Sequence, residues 1–156
     1  MNDKVPLSEK QLHPMPGEMA PEEGALSYEE ELVKYFRLQS GELPRFDLMV
    51  LGVGKDGHTA SLFPGQEALE EKIRLVLAVK GGNPDVNRLT LTLPVINQSQ
   101  KILILVSGKE KSEVVRTIFQ EREVGLPIQK VQPKEGKMIW LLDREAALLL
   151  PDAFHQ

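Results

Sequence analysis

The residues with the clearest chemical potential lie in one stretch, Phe46-Asp47-Leu48-Met49-Val50-Leu51-Gly52-Val53-Gly54-Lys55-Asp56-Gly57-His58-Thr59-Ala60-Ser61-Leu62-Phe63-Pro64-Gly65. His58 is the one histidine inside the patterned part of the chain, because His13 and His155 fall in irregular terminal segments. An imidazole in such a loop can act as a general base toward an attacking water, a role worth about 10²- to 10⁴-fold in rate. Asp56, two residues earlier, can orient that imidazole or a substrate hydroxyl, and beside glycine it can equally make a turn. Gly52, Gly54 and Gly57 allow a ligand to approach the backbone closely. The N–H groups from Gly54 to His58 are candidate donors to a developing oxyanion. Ser61 has no base placed beside it and is given no catalytic role.

The same glycines satisfy the G-x-G-x-x-G spacing of a dinucleotide loop. That reading requires a full crossover helix after the third glycine, and Phe63-Pro64-Gly65 stops any helix within about two turns. No cofactor is expected. No cluster of His, Asp and Glu has metal-ligand spacing, so no metal is expected either.

Phe46 to Leu51, apolar except for Asp47, predicts an interior strand of a parallel sheet with helices on both sides. The site then sits at the carboxyl end of a strand, where α/β proteins place their chemistry. Further strands are predicted at Arg74 to Val79, Arg88 to Leu93, Lys101 to Val106 and Lys137 to Leu142. Helices are predicted at Ala25 to Leu38, where Ser27 and Glu30 fit a capping box, at Gln66 to Lys72, and at Lys111 to Arg122. A short last helix begins near Asp143 as its N-cap. The alternation of strand and helix predicts an α/β fold. Prolines at 6, 14, 16 and 21 make residues 1–24 an irregular lead-in, leaving 25–150 as a single α/β domain and 151–156 as a tail.

Composition narrows the function classes. The 156 residues are 41% apolar and 27% charged, and a chain of this size can bury roughly 70% of its unfolded surface. There is no Cys, which excludes thiol catalysis and zinc ribbons. Nineteen Lys plus Arg face twenty-three Asp plus Glu, for a net charge of −4 with both signs interspersed, so neither nucleic acid nor a membrane surface is an expected partner. No apolar run approaches the ~20 residues of a membrane span. With no apolar signal core at the N-terminus, the expected location is cytoplasmic.

The glycine-histidine stretch resembles the signature of the 6-phosphogluconolactonases: an apolar strand, then Gly-x-Gly-x-Asp-Gly-His-Thr-Ala-Ser-Leu-Phe-Pro-Gly. The related glucosamine-6-phosphate isomerases share the Asp-Gly-His core but usually follow it with Ile-Ala-Phe-Asn-Glu-Pro. Thr59-Ala60-Ser61-Leu62-Phe63-Pro64 therefore favours the lactonase branch. Asn87-Arg88-Leu89-Thr90-Leu91-Thr92 and Leu105-Val106-Ser107-Gly108-Lys109-Glu110-Lys111 are similar to two further family stretches. So is the ending with Leu126-Pro127, Trp140-Leu141-Leu142-Asp143 and Ala146-Ala147.

The resemblance implies a Rossmann-like, parallel-rich sheet flanked by helices, and metal-free hydrolysis of 6-phospho-D-glucono-1,5-lactone to 6-phosphogluconate. The substrate would be a small sugar-phosphate lactone, with His58 and Asp56 catalytic. Gly54, Gly57, Arg88 and Lys111 would bind substrate, the two cations meeting its phosphate. On their own, Arg88 can pair with Asp85 at the surface and Lys111 can be a solvated charge. The family's Gly-Gly-(Ser/Thr)-Thr-Pro phosphate loop, Asp-Glu-Arg segment and first strands have no match here; Gly81-Gly82-Asn83-Pro84 lacks the hydroxyl pair. The strand at Phe46 would then risk becoming an open edge. The expected cover is a homo-oligomer or a missing N-terminal segment. Because the phosphate loop has no match, the alternative reading is a catalytically weak or inactive sugar-phosphate-binding or interaction protein.

Overall fold

The computed structural model describes residues 8–121 and 124–152. Expectations for the first seven residues of the lead-in, for Arg122 at the end of a helix, and for residues 153–156 of the tail lie outside the described residues.

Among the described residues, five strands and three α-helices follow in the order helix, three strands, helix, strand, helix, strand. Strand β1 (Met49–Gly52), β4 (Lys101–Val106) and β5 (Lys137–Leu142) form a parallel sheet in the order β1-β4-β5. Met49 aligns with Ile102, and Ile102 with Met138. Strands β2 (Val76–Gly81) and β3 (Val86–Leu91) form a separate antiparallel hairpin with Val79 opposite Arg88. The α/β class is as expected, and β4 and β5 have their predicted bounds. The second and third strands instead run about two residues off their predicted positions, as this hairpin.

Helix α1 (Pro21–Phe36) begins four residues before the predicted start, and Ser27 and Glu30 lie inside it. Pro21 is among the prolines that predict an irregular lead-in. At the first helical position its missing N–H is one that no helix could satisfy anyway, so it starts the helix instead. Glu22 and Glu23 in the first turn favour the same start. The helix buries Ala25, Tyr28 and Leu32 against Leu75, Val76 and Val95. Its Glu29 carboxylate accepts the N–H groups of Leu75 at 2.8 Å and Val76 at 3.1 Å, as well as Arg74 Nε, which pins the helix to the start of the hairpin.

The predicted helix over 66–72 is only a 3₁₀ turn, Glu67–Glu70. The Glu71 carboxylate takes the N–H groups of Lys72, Ile73 and Arg74, offering that backbone an alternative to helical bonding. Thr92, predicted in a strand, instead precedes a short helix α2 (Leu93–Asn97) with Pro94 in its first turn. Beyond Asp143 the chain makes turns rather than a helix, although the Asp143 carboxylate accepts the Ala146 N–H at 2.7 Å as an N-cap would.

The larger core lies on one face of the parallel sheet. Met49, Ile102, Ile104 and Val106 meet Val114, Val115 and Ile118 of helix α3 (Ser112–Gln120), with Ile128 and Ala146. The opposite face carries Val50, Leu105, Ile139 and Leu141, each roughly half exposed. The expectation of helices on both sides of β1 therefore fails among the described residues, and β1 pairs only with β4.

Candidate active site

Past Gly52 the chain folds back on itself. Thr59 Oγ1 donates to the Gly52 carbonyl at 2.9 Å, the Gly54 N–H to the His58 carbonyl at 2.8 Å, and the Gly57 N–H to the Gly54 carbonyl at 3.0 Å. Within this tight loop one oxygen of Asp56 accepts the His58 N–H at 3.1 Å and stands 2.6 Å from the ring Nδ1. An ionised carboxylate only accepts, so Nδ1 carries the proton and the lone pair lies on Nε2. The Asp56 carboxylate therefore both closes the turn through the His58 N–H and contacts the imidazole directly.

Burial works to raise the Asp56 pKa, but hydrogen bonds from the His58 backbone and ring, together with the imidazole charge, outweigh it and hold the carboxyl below its usual value. Asp56 is therefore charged throughout the neutral range. The Phe63 ring, itself buried, packs against the imidazole with centroids 4.7 Å apart.

Gly54 and Gly57 have their N–H groups committed inside the loop, so what they contribute is space and conformation. A Cβ on Gly54 would lie 2.0 Å from His58 Nδ1, and Gly57 has φ +79°, a left-handed conformation. The His58 N–H is committed as well, and the Asp56 N–H leans on its own carboxylate. Of the proposed oxyanion donors, the Lys55 N–H remains without a partner among the described residues.

The loop borders an open cleft of about 690 Å³ whose walls include Lys55, Asp56, His58, Phe63, Gln66 and Lys111. Lys111 Nζ donates to the Val53 carbonyl at 2.8 Å, bringing this predicted residue to the site. Arg88 is placed differently. Its Nε donates to the Gly81 carbonyl at 2.9 Å and its guanidinium lies against Gly82, at the hairpin turn whose Gly81, Gly82 and Asn83 face the cleft. Asp85 is 3.6 Å from Lys80, not paired with Arg88. Ser61 donates its N–H to Thr90 Oγ1.

Sequence reasoning missed Phe63, Gln66, the hairpin turn and the Lys55 side chain as parts of the cleft. Phe63 and Lys55 sit within the motif, where proximity to His58 was the available signal. For Gln66 and Asn83 there was none, since long-range packing alone brings them there.

Residues 1–140 match the family described as glucosamine-6-phosphate isomerases/6-phosphogluconolactonase. A 6-phosphogluconolactonase of Synechocystis sp. is 43% identical over 148 residues, covering 92% of this chain and 60% of the relative. The Homo sapiens 6-phosphogluconolactonase is 38% identical over 155 residues, covering 98% and 59%. Among solved structures, a devB protein superposes with a TM-score of 0.86 at 30% identity, covering 96% of this chain and 63% of that one. A 6-phosphogluconolactonase from Trypanosoma cruzi gives 0.78 at 29%, covering 92% and 61%. The chain thus spans about 60% of the length of the curated relatives it matches. No helix among the described residues is long and apolar enough to cross a membrane.

Proposed function

We propose, from the premise that this chain belongs to the glucosamine-6-phosphate isomerase/6-phosphogluconolactonase family, that its Asp56–His58 loop hydrolyses 6-phospho-D-glucono-1,5-lactone to 6-phosphogluconate. The reaction is a step of the oxidative pentose phosphate pathway and is assigned to the cytoplasm. The observation that carries the proposal is the 2.6 Å contact of Asp56 with His58 Nδ1, which turns Nε2 into the free base at the carboxyl end of β1.

In this scheme His58 Nε2 takes a proton from water as the water oxygen bonds to C1 of the lactone. The carbonyl oxygen gains negative charge and meets the Lys55 N–H. Collapse breaks the bond between C1 and the ring oxygen, which leaves with the proton from the imidazolium. Asp56, charged throughout, stabilises that imidazolium. Lys111 has N–H groups left after its bond to Val53 and is the direct partner of the substrate phosphate. Arg88 holds the hairpin turn against the cleft through Gly81.

The apolar outer face of the sheet is assigned to an interface, covered in the working enzyme by further polypeptide of a longer protein or by a second copy of the chain. A monomeric mass together with a cooperative melt and full turnover would overturn that assignment. For the reaction, lactone hydrolysis is followed in the wild-type chain and in His58→Ala, alongside calorimetry with 6-phosphogluconate. Turnover that disappears in a folded His58→Ala supports the proposal. Wild-type turnover in that variant removes His58 from the chemistry, and binding without turnover in the wild type makes the protein a sugar-phosphate binder.

A further inference from the structure

We infer that Gln129 is a positioning residue for the Asp56–His58 pair, acting through Leu126 on Gly57. The inference rests on His58 being the base of the proposed reaction. Gly57 is the pivot between the two side chains, and its φ of +79° sets their relative direction. Two contacts from the segment after α3 hold it. The Ile128 N–H donates to the Gly57 carbonyl at 3.1 Å, and the Leu126 side chain comes within 2.9 Å of where a Cβ on Gly57 would lie.

Leu126 is held in turn by one side chain. Gln129 Oε1 accepts the Leu126 N–H at 3.0 Å, and its Nε2 donates to the Glu121 carbonyl at 2.9 Å and leans toward Ile118 at 3.4 Å. The amide thus joins the last carbonyls of α3, which have no partner within the helix, to the residue that packs on the pivot. Only a group with a donor and an acceptor on one plane does both. Methionine supplies neither, and a glutamate would turn a second acceptor toward the carbonyls. At its other end α3 is preceded by Lys111, whose Nζ holds the Val53 carbonyl at the start of the loop. The loop is therefore gripped from both ends of one helix.

A residue that merely caps α3 would change stability and leave the imidazole as it is. The test is nuclear magnetic resonance of the histidine ring nitrogens in the full chain, with Gln129→Met and the milder Gln129→Glu. His13, whose Nδ1 meets Glu31 at 2.5 Å away from the loop, serves as internal reference. The expected result is that the His58 signals of Gln129→Met move toward those of an imidazole without a carboxylate partner while His13 is unchanged, with a smaller shift in Gln129→Glu. Where lactone turnover is measurable, kcat falls about tenfold or more with KM retained, as small displacements of a catalytic group do. Unmoved His58 signals in a folded variant overturn the inference. So does a parallel change at His13, or failure of both variants to fold, each of which marks Gln129 as a purely structural cap. The ring signals do not depend on turnover, so a failure of the proposed reaction leaves this result readable.

Discussion

At the carboxyl end of β1 the chain binds nearly all its polar groups to itself, whereas the outward face of the same sheet presents apolar side chains that stay about half exposed among the described residues. In the loop, the N–H groups of Gly54, Gly57 and His58 all have partners within five residues. On the sheet face, Val50, Leu105, Ile139 and Leu141 line up across three strands and remain half exposed. The contrast shows that site geometry and scaffold completion are separable here. Short-range hydrogen bonds and one helix shape the His58 loop, while none of the described elements packs over the outer face closely enough to bury it.

The sharpest way to break the comparison is at His58. His58→Ala should cost about 10²- to 10⁴-fold in lactone turnover with little change in melting temperature; a large drop in melting temperature would mean that the loop is part of the scaffold after all. On the scaffold side, Ile104 is fully buried, and Ile104→Ala should cost about 2–5 kcal/mol in denaturant unfolding. Gly54→Ala places a Cβ 2.0 Å from His58 Nδ1. The displaced ring should lower kcat about 10²-fold, and retained kcat would show that the imidazole has another productive position.

Asp56 gives a pH-dependent contrast. Its folded pKa lies below the unfolded value, so its contribution to stability is complete above about pH 4 and is lost as pH falls through the lower folded value. Thermal melts of Asp56→Asn should therefore lie slightly below wild type at neutral pH and converge with it in strong acid. Melts separated equally at all pH values would remove the Asp56–His58 bond from solution. The smallest effect is expected next door to Ile104. Leu105 is 45% exposed on the outer face of the single chain, and wherever this chain is alone and monomeric Leu105→Ala should change stability by less than about 0.5 kcal/mol. A cost as large as that of Ile104→Ala would mean that the outer face is covered in solution and would close the gap between the two regions.

Much of this fold was legible in the sequence, for identifiable reasons. Lys101 to Val106 and Lys137 to Leu142 read correctly as strands because each is a short apolar run bounded by turn residues. The start of α1 lies four residues before its predicted position because proline breaks a helix in its interior but begins one at its first position. The helix predicted over 66–72 shrinks to a 3₁₀ turn because a carboxylate competing for backbone N–H groups leaves no trace in hydrophobic periodicity. At the site, the nearness of Asp56 and His58 follows from their spacing, whereas the bond of Arg88 to the Gly81 carbonyl at the hairpin turn has no signal in the sequence.

By itself the sequence determined what depends on near neighbours: the strand-loop order, the glycines that leave room for an imidazole, and a carboxylate two residues from its histidine. Tertiary structure alone decided which N–H groups stay free, that Lys111 reaches Val53, that Leu126 presses on Gly57, and which face of the sheet is buried. The reason is chain geometry. Contacts within a turn are nearly forced by backbone dihedrals, whereas contacts across fifty or more residues, such as Lys111 to Val53, exist only once the packed core has chosen how its elements meet.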